Sequence, residues 1–185
     1  MNQMVYQLIY GKPLSSIVAV IIASVFVWGI AGALARKNRN VQRWWKTVNV
    51  CLMAMFAVFL VYFTVVSRQA NGSELQLIPF HSFIEARIQP ELYRTMLMNV
   101  FLFVPMGLTL PFALPEKTDH KALVSVLCAM LTSTMVEFLQ YVFHLGRAET
   151  DDVLCNTLGA AVGTLSFALS LKIRHGGGGT MRVKS

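Results

Sequence analysis

Five stretches of this chain are apolar over about twenty residues each, and the polar residues collect in the gaps between them. The first, Leu14 to Ala35, contains no charge over 22 residues. That is long enough to cross a hydrocarbon core of about 30 Å. The others are expected at Thr47 to Val66, Met96 to Leu114, Ala122 to Leu145 and Val153 to Leu171. Runs of this length that are apolar on every side read as membrane helices. The fold class that follows is all-α: an integral membrane bundle of about five transmembrane helices. Ala33-Leu34-Ala35 imitates a signal-peptide cleavage site. However, the run before it exceeds the roughly 7–15 apolar residues of a signal peptide, and the cations follow it instead of preceding it. A retained helix is expected.

The gaps carry the second layer of information. Arg36, Lys37, Arg39, Arg43 and Lys46 lie in one short stretch with no acid. Lys117 and Lys121 occupy the third gap, and Lys172, Arg174, Arg182 and Lys184 follow the last span. Alternate gaps thus hold eleven of the sixteen Lys and Arg residues. By the positive-inside rule they are cytoplasmic, which predicts the N-terminus outside and the C-terminus in the cytoplasm. Trp44 and Trp45 suit the headgroup layer. Ser67 to Thr95 is polar and charge-balanced. Within it, Leu77 to Ile84 alternates weakly and is too short to span, so it reads either as an interfacial or re-entrant piece or as plain loop. His175 and the glycines after it read as a flexible tail. The organisation expected is a two-helix region over 1–76, a three-helix core over 77–171 and a basic cytoplasmic tail over 172–185.

Composition narrows the class. The chain is 55% hydrophobic and only 14% charged, where soluble domains average about 25% charged. Its net charge of +7 is accounted for by the gaps, and no basic-aromatic module indicates nucleic acid. Cys51, Cys128 and Cys155 lie singly inside apolar runs. They read as small apolar groups with no metal or disulfide framework.

Polar residues inside spans are costly in lipid, so they are the candidate site. Ser133, Glu137, Gln140 and His144 are separated by four, three and four residues, one stripe of a helix. Asp152, Asn156, Gly159 and Gly163 repeat that spacing on the next helix, where the glycines permit close approach. Asn99, near the start of the third span, belongs to the same end of the bundle, and Arg147 is an available partner for Glu137, Asp151 or Asp152. Glu137, Asp151 and Asp152 are the candidate catalytic groups. Glu137 reads as a buried general acid or base, or as a bond between helices. Asp151 and Asp152 read as ligands of a hard cation, or as caps of the last helix. Asn99, Gln140, Arg147 and Asn156 are the candidate substrate-binding groups, with interhelical hydrogen bonding as the alternative. Pro105, Gly107 and Pro111 imply either a simple kink or one that opens a cavity beside Asn99. No metal site is assigned and no cofactor is identified.

These segments, taken in order, resemble the VanZ-like family: Leu77-Ile78-Pro79-Phe80, Asn99 through Gly107, Glu137-Phe138-Leu139-Gln140, Gly146-Arg147 and Asp151 through Gly159. The likeness covers Leu77 to Leu171. It implies a multi-pass protein of the bacterial cytoplasmic membrane. The family's name-giving member is associated with low-level resistance to teicoplanin, a lipoglycopeptide that targets peptidoglycan precursors. Membrane lipids and lipid-linked cell-wall precursors are the implied partners. Three readings stand open: a non-catalytic envelope or partner-binding factor, a membrane-embedded enzyme or binding protein for a lipid or lipid-linked phosphate, and a transporter. The last fits less well, since no internal repeat is visible.

Overall fold

The computed structural model describes residues 14–62, 64 and 72–176. The segment Met1 to Pro13, the end of the second expected span, Arg68, and the tail with Arg182 and Lys184 lie outside the described residues. Five long helices carry the fold: α1 (Leu14–Ala35), α2 (Arg39–Val61), α4 (Glu91–Ala113), α5 (Lys121–Val142) and α6 (Thr150–Gly176). All five are long and apolar enough to cross a membrane. Between them lie β1 (Gly72–Gln76), the short helix α3 (His81–Glu85) and β2 (Leu145–Glu149). The expected bundle is present, with one departure from all-α: β1 and β2 pair in parallel, from Gly72 opposite Leu145 to Gln76 opposite Glu149. The polar turn after the fourth span is therefore a strand. Gly146 and His144 take positive φ at its start, where the helix gives way to extended chain.

Helix bounds differ from the apolar runs at their polar ends. α2 starts at Arg39, eight residues before the expected Thr47, because Asn38 takes an extended conformation and its side chain accepts the Asn40 N–H. The basic stretch is thus mostly the first turns of a helix. α4 begins at Glu91 behind Pro90, and α6 begins at Thr150 with Asp151 and Asp152 in its first turn, where acids suit the positive dipole end.

The interior combines large apolar side chains such as Phe56, Phe103 and Met106 with small and polar residues, while many other large apolar residues face outward. On α1, Gly29, Gly32, Ala33 and Ala35 are buried, while Val20, Phe26, Val27 and Leu34 are more than half exposed. Such a surface is foreign to a soluble monomer and suits lipid. Three buried hydroxyls return to their own helix: Ser125, Ser166 and Ser170 donate to the carbonyls of Lys121, Gly163 and Phe167.

α6 is the central helix, packed on α4, α1 and α5. Its tightest seam is with α4. A Cβ at Gly159 would strike the Val100 carbonyl, and one at Gly163 would lie 2.5 Å from the Val104 carbonyl oxygen. Gly107 answers from α4, facing the Ala160 carbonyl. α4 passes through Pro105 and Pro111 without ending, and Thr109 Oγ1 donates to the Pro105 carbonyl at 2.8 Å. At Gly107 this region is therefore a close backbone contact with α6.

Gly159→Ala should cost about 1–3 kcal/mol, the usual range for overpacking. Leu158→Ala, on the exposed side of the same turn, should change stability little. Thermal unfolding of the two variants in detergent checks the difference.

Candidate functional site

The α5 stripe folds as its spacing predicts for three of four members. Ser133, Glu137 and Gln140 are all buried, whereas His144 is exposed, because α5 ends at Val142 and the chain turns away there. His144 is not part of the cluster. Gln140 turns toward the end of α2, with Nε2 donating to the Thr64 carbonyl at 3.4 Å, and so stands apart from the α4–α6 seam. Two members do meet across helices: Asn156 Nδ2 of α6 donates to Ser133 Oγ of α5 at 2.8 Å. Asn99 Nδ2 of α4 donates to Asp152 Oδ1 of α6 at 2.5 Å. The juxtaposition of three helices at one end, expected from sequence, is thus made by direct bonds.

The two aspartates are committed to different partners. Asp151, only 2% exposed, reaches out of α6 to the start of α3. Its Oδ1 accepts the Phe80 N–H at 2.6 Å and its Oδ2 the Ser82 N–H at 2.7 Å. A carboxylate bonded to two backbone N–H groups is a strong acceptor site. Phe80 has φ of 64°, a left-handed conformation unfavourable for an aromatic residue, and this clamp holds it. The Leu77–Ile84 stretch is therefore not plain loop. It is a turn and a single short helix pinned to α6, with Leu77, Ile78, Phe80 and Ile84 exposed.

Arg147 corrects an expectation. It turns to Glu149, Glu85 and His81 and not to Glu137, Asp151 or Asp152. Nε pairs with Glu149 Oε1 at 3.2 Å, Nη1 with Glu85 Oε2 at 3.5 Å, and Nη2 lies 3.5 Å from His81 Nδ1. Glu149 also accepts from Ser82 Oγ at 2.5 Å, and its backbone N–H donates to Glu137 Oε2 at 3.1 Å. Glu149 is the junction that sequence reading missed, together with His81, Ser82 and Glu85. Nothing in its spacing marks it, because it joins the cluster through a strand whose partner lies about seventy residues earlier.

Glu137 and Glu149 line a cavity of about 490 Å³ between β1, α5 and α6, whose other walls include Leu75, Leu77, Phe138 and Tyr141. A cavity of that size, apolar with a few polar groups, is of the kind that takes small ligands. Two carboxylates on an apolar wall can accept hydrogen bonds from hydroxyl, amide or ammonium donors. They can also trade a proton with a bound group. Asn156 Oδ1 and Gln140 Oε1 are buried with no donor among the described residues.

Five membrane-length helices with a polar cluster at one end define a multi-pass membrane protein. The chain belongs to the VanZ/LLP1 family, whose model matches residues 46–171. The match opens inside α2 and so takes in more than the 77–171 likeness. The chain is also similar to protein VanZ of Enterococcus faecium, 29% identical over 129 residues that make up 65% of this chain and 74% of that one. No solved structure matches.

Asp151→Asn leaves one acceptor oxygen where two now serve, and should cost about 1.5–3 kcal/mol, the range for bonds to a charged group. Amide exchange at Phe80 and Ser82 should quicken in that variant. In Asp152→Asn, which can still accept from Asn99, it should change little.

Proposed function

We propose that this protein acts at the cell envelope as a non-catalytic factor that lowers susceptibility to teicoplanin-type glycopeptides. In this reading it holds an amphipathic envelope molecule, such as a lipid-linked cell-wall precursor, in the cavity beside Glu137 and Glu149. The observation that carries it is the pairing of two carboxylates with an apolar wall in one cavity. The wall suits an alkyl chain and the carboxylates suit a hydroxyl, amide or amine donor. The similarity to protein VanZ supports the antibiotic part of the reading. A binding role is favoured because Asp151 and Arg147 are already committed to the chain's own groups.

The test uses a susceptible Gram-positive host and matched membrane abundance. Wild type should raise the teicoplanin concentration needed to stop growth. Thr134→Trp, which fills the cavity from an exposed wall position, should abolish the protection, and Glu137→Gln should reduce it. Equal protection by both folded variants, or none by wild type, overturns the reading. The same carboxylate pair favours one alternative, proton transfer to a bound substrate. That reading predicts loss in Glu137→Gln as complete as in Thr134→Trp.

We further propose that the carboxylate end faces outward and the basic end the cytoplasm, as the cation distribution indicates. A cysteine introduced at exposed His144 should react with an impermeant reagent in intact cells. One introduced at exposed Lys117 should react only after permeabilisation.

A further inference from the structure

The opposite end of the bundle holds a second cavity, of about 580 Å³, to which all five long helices or their flanks contribute. Its lining includes six cations: Arg36 after α1, Arg39, Arg43 and Lys46 on α2, Lys121 on α5 and Arg174 on α6. One carboxylate, Glu116, accompanies them, and it accepts from Gln42 Nε2 at 3.1 Å. Among the described residues none of the six has an ion-pair partner within 4.0 Å. Topogenic charges alone need only lie near one face of a membrane. These line a cavity between helices.

Two details fit the cavity for an anion. The Arg36 guanidinium lies over the rings of Phe167 and Phe112, 4.9 and 5.9 Å from their centroids, which orients a planar donor fork. Burial first, then the neighbouring Arg174, lowers the Arg36 pKa, while Glu116 opposes the shift. The guanidinium stays charged regardless, so the shift registers crowding that an anion would relieve. In addition, Trp45 lines the cavity, and its Nε1 is buried with no acceptor among the described residues. A buried indole donor ordinarily finds one.

We propose that this cavity binds the phosphate headgroup of an anionic membrane phospholipid, with Arg36, Lys46, Lys121 and Arg174 as its cationic walls and Trp45 Nε1 as a neutral donor. Basic pockets between membrane helices are suited to such headgroups. The ligand's acyl chains would continue along the exposed apolar surface of the bundle, which a soluble phosphate cannot use.

The full chain, purified in a neutral detergent, should show a thermal midpoint that rises with added phosphatidylglycerol or cardiolipin and not with phosphatidylcholine. Arg174→Gln, in an exposed terminal turn that tolerates substitution, should weaken the apparent affinity for phosphatidylglycerol at least about fivefold, and Arg36→Gln likewise. Lys117→Gln makes the same charge change at the same end outside the cavity lining, and should leave the affinity unchanged. Equal stabilisation by phosphatidylcholine, or an equal loss in Lys117→Gln, overturns the proposal. If inorganic phosphate stabilises wild type as well as the lipid does, and Arg174→Gln removes that effect, the site takes soluble phosphate and the lipid assignment fails.

Discussion

The close approach of α6 to α4 is the constraint on which the other arrangements depend. Gly159 and Gly163 let two backbones meet where side chains would otherwise hold them apart. In lipid there is little hydrophobic drive to push helices together, so packing of this kind supplies much of the association. Once α6 is seated there, its first turn has little freedom. Asp152 meets Asn99 on α4, and Asp151 projects toward the segment that precedes α4. The polar cluster therefore depends on the seam, because its registration along α6 is set by glycines about two and three turns deeper.

The cluster works as a fastening before it works as a site. Asp151 and Glu149 tie the turn before α3 to the junction of β2 and α6, over sequence separations of 67 to 71 residues. Arg147 closes the same network through Glu85 and Glu149. What the fastening builds is the wall of the apolar cavity, since β1, β2 and Leu77 hold their places through it. The two carboxylates of that wall, Glu137 and Glu149, are themselves members of the network.

Much of this was legible in the sequence, and the reason differs by element. The five spans could be read because a spanning helix must be apolar throughout. The Ser133–Glu137–Gln140 and Asp152–Asn156–Gly159–Gly163 stripes could be read because helical spacing forces their members onto one face. The parallel pairing of β1 with β2 could not be read: each strand is five residues long, and their register is fixed by helices that lie between them. Glu149 and the true partners of Arg147 were hidden for the same reason. His144 misled because its spacing continues a stripe that the helix itself does not.

The central helix also sets a thickness. Asp152 near one end of α6 and Lys172 near the other are twenty residues apart, about 30 Å along a helix axis. That equals the hydrocarbon depth of an ordinary bilayer. Because charges of opposite sign stand at its two ends, α6 cannot slide along the membrane normal without drawing one of them into oil. The helix is a ruler of fixed length. In a thicker membrane the bilayer would have to thin around it, since tilting would only shorten the depth it spans.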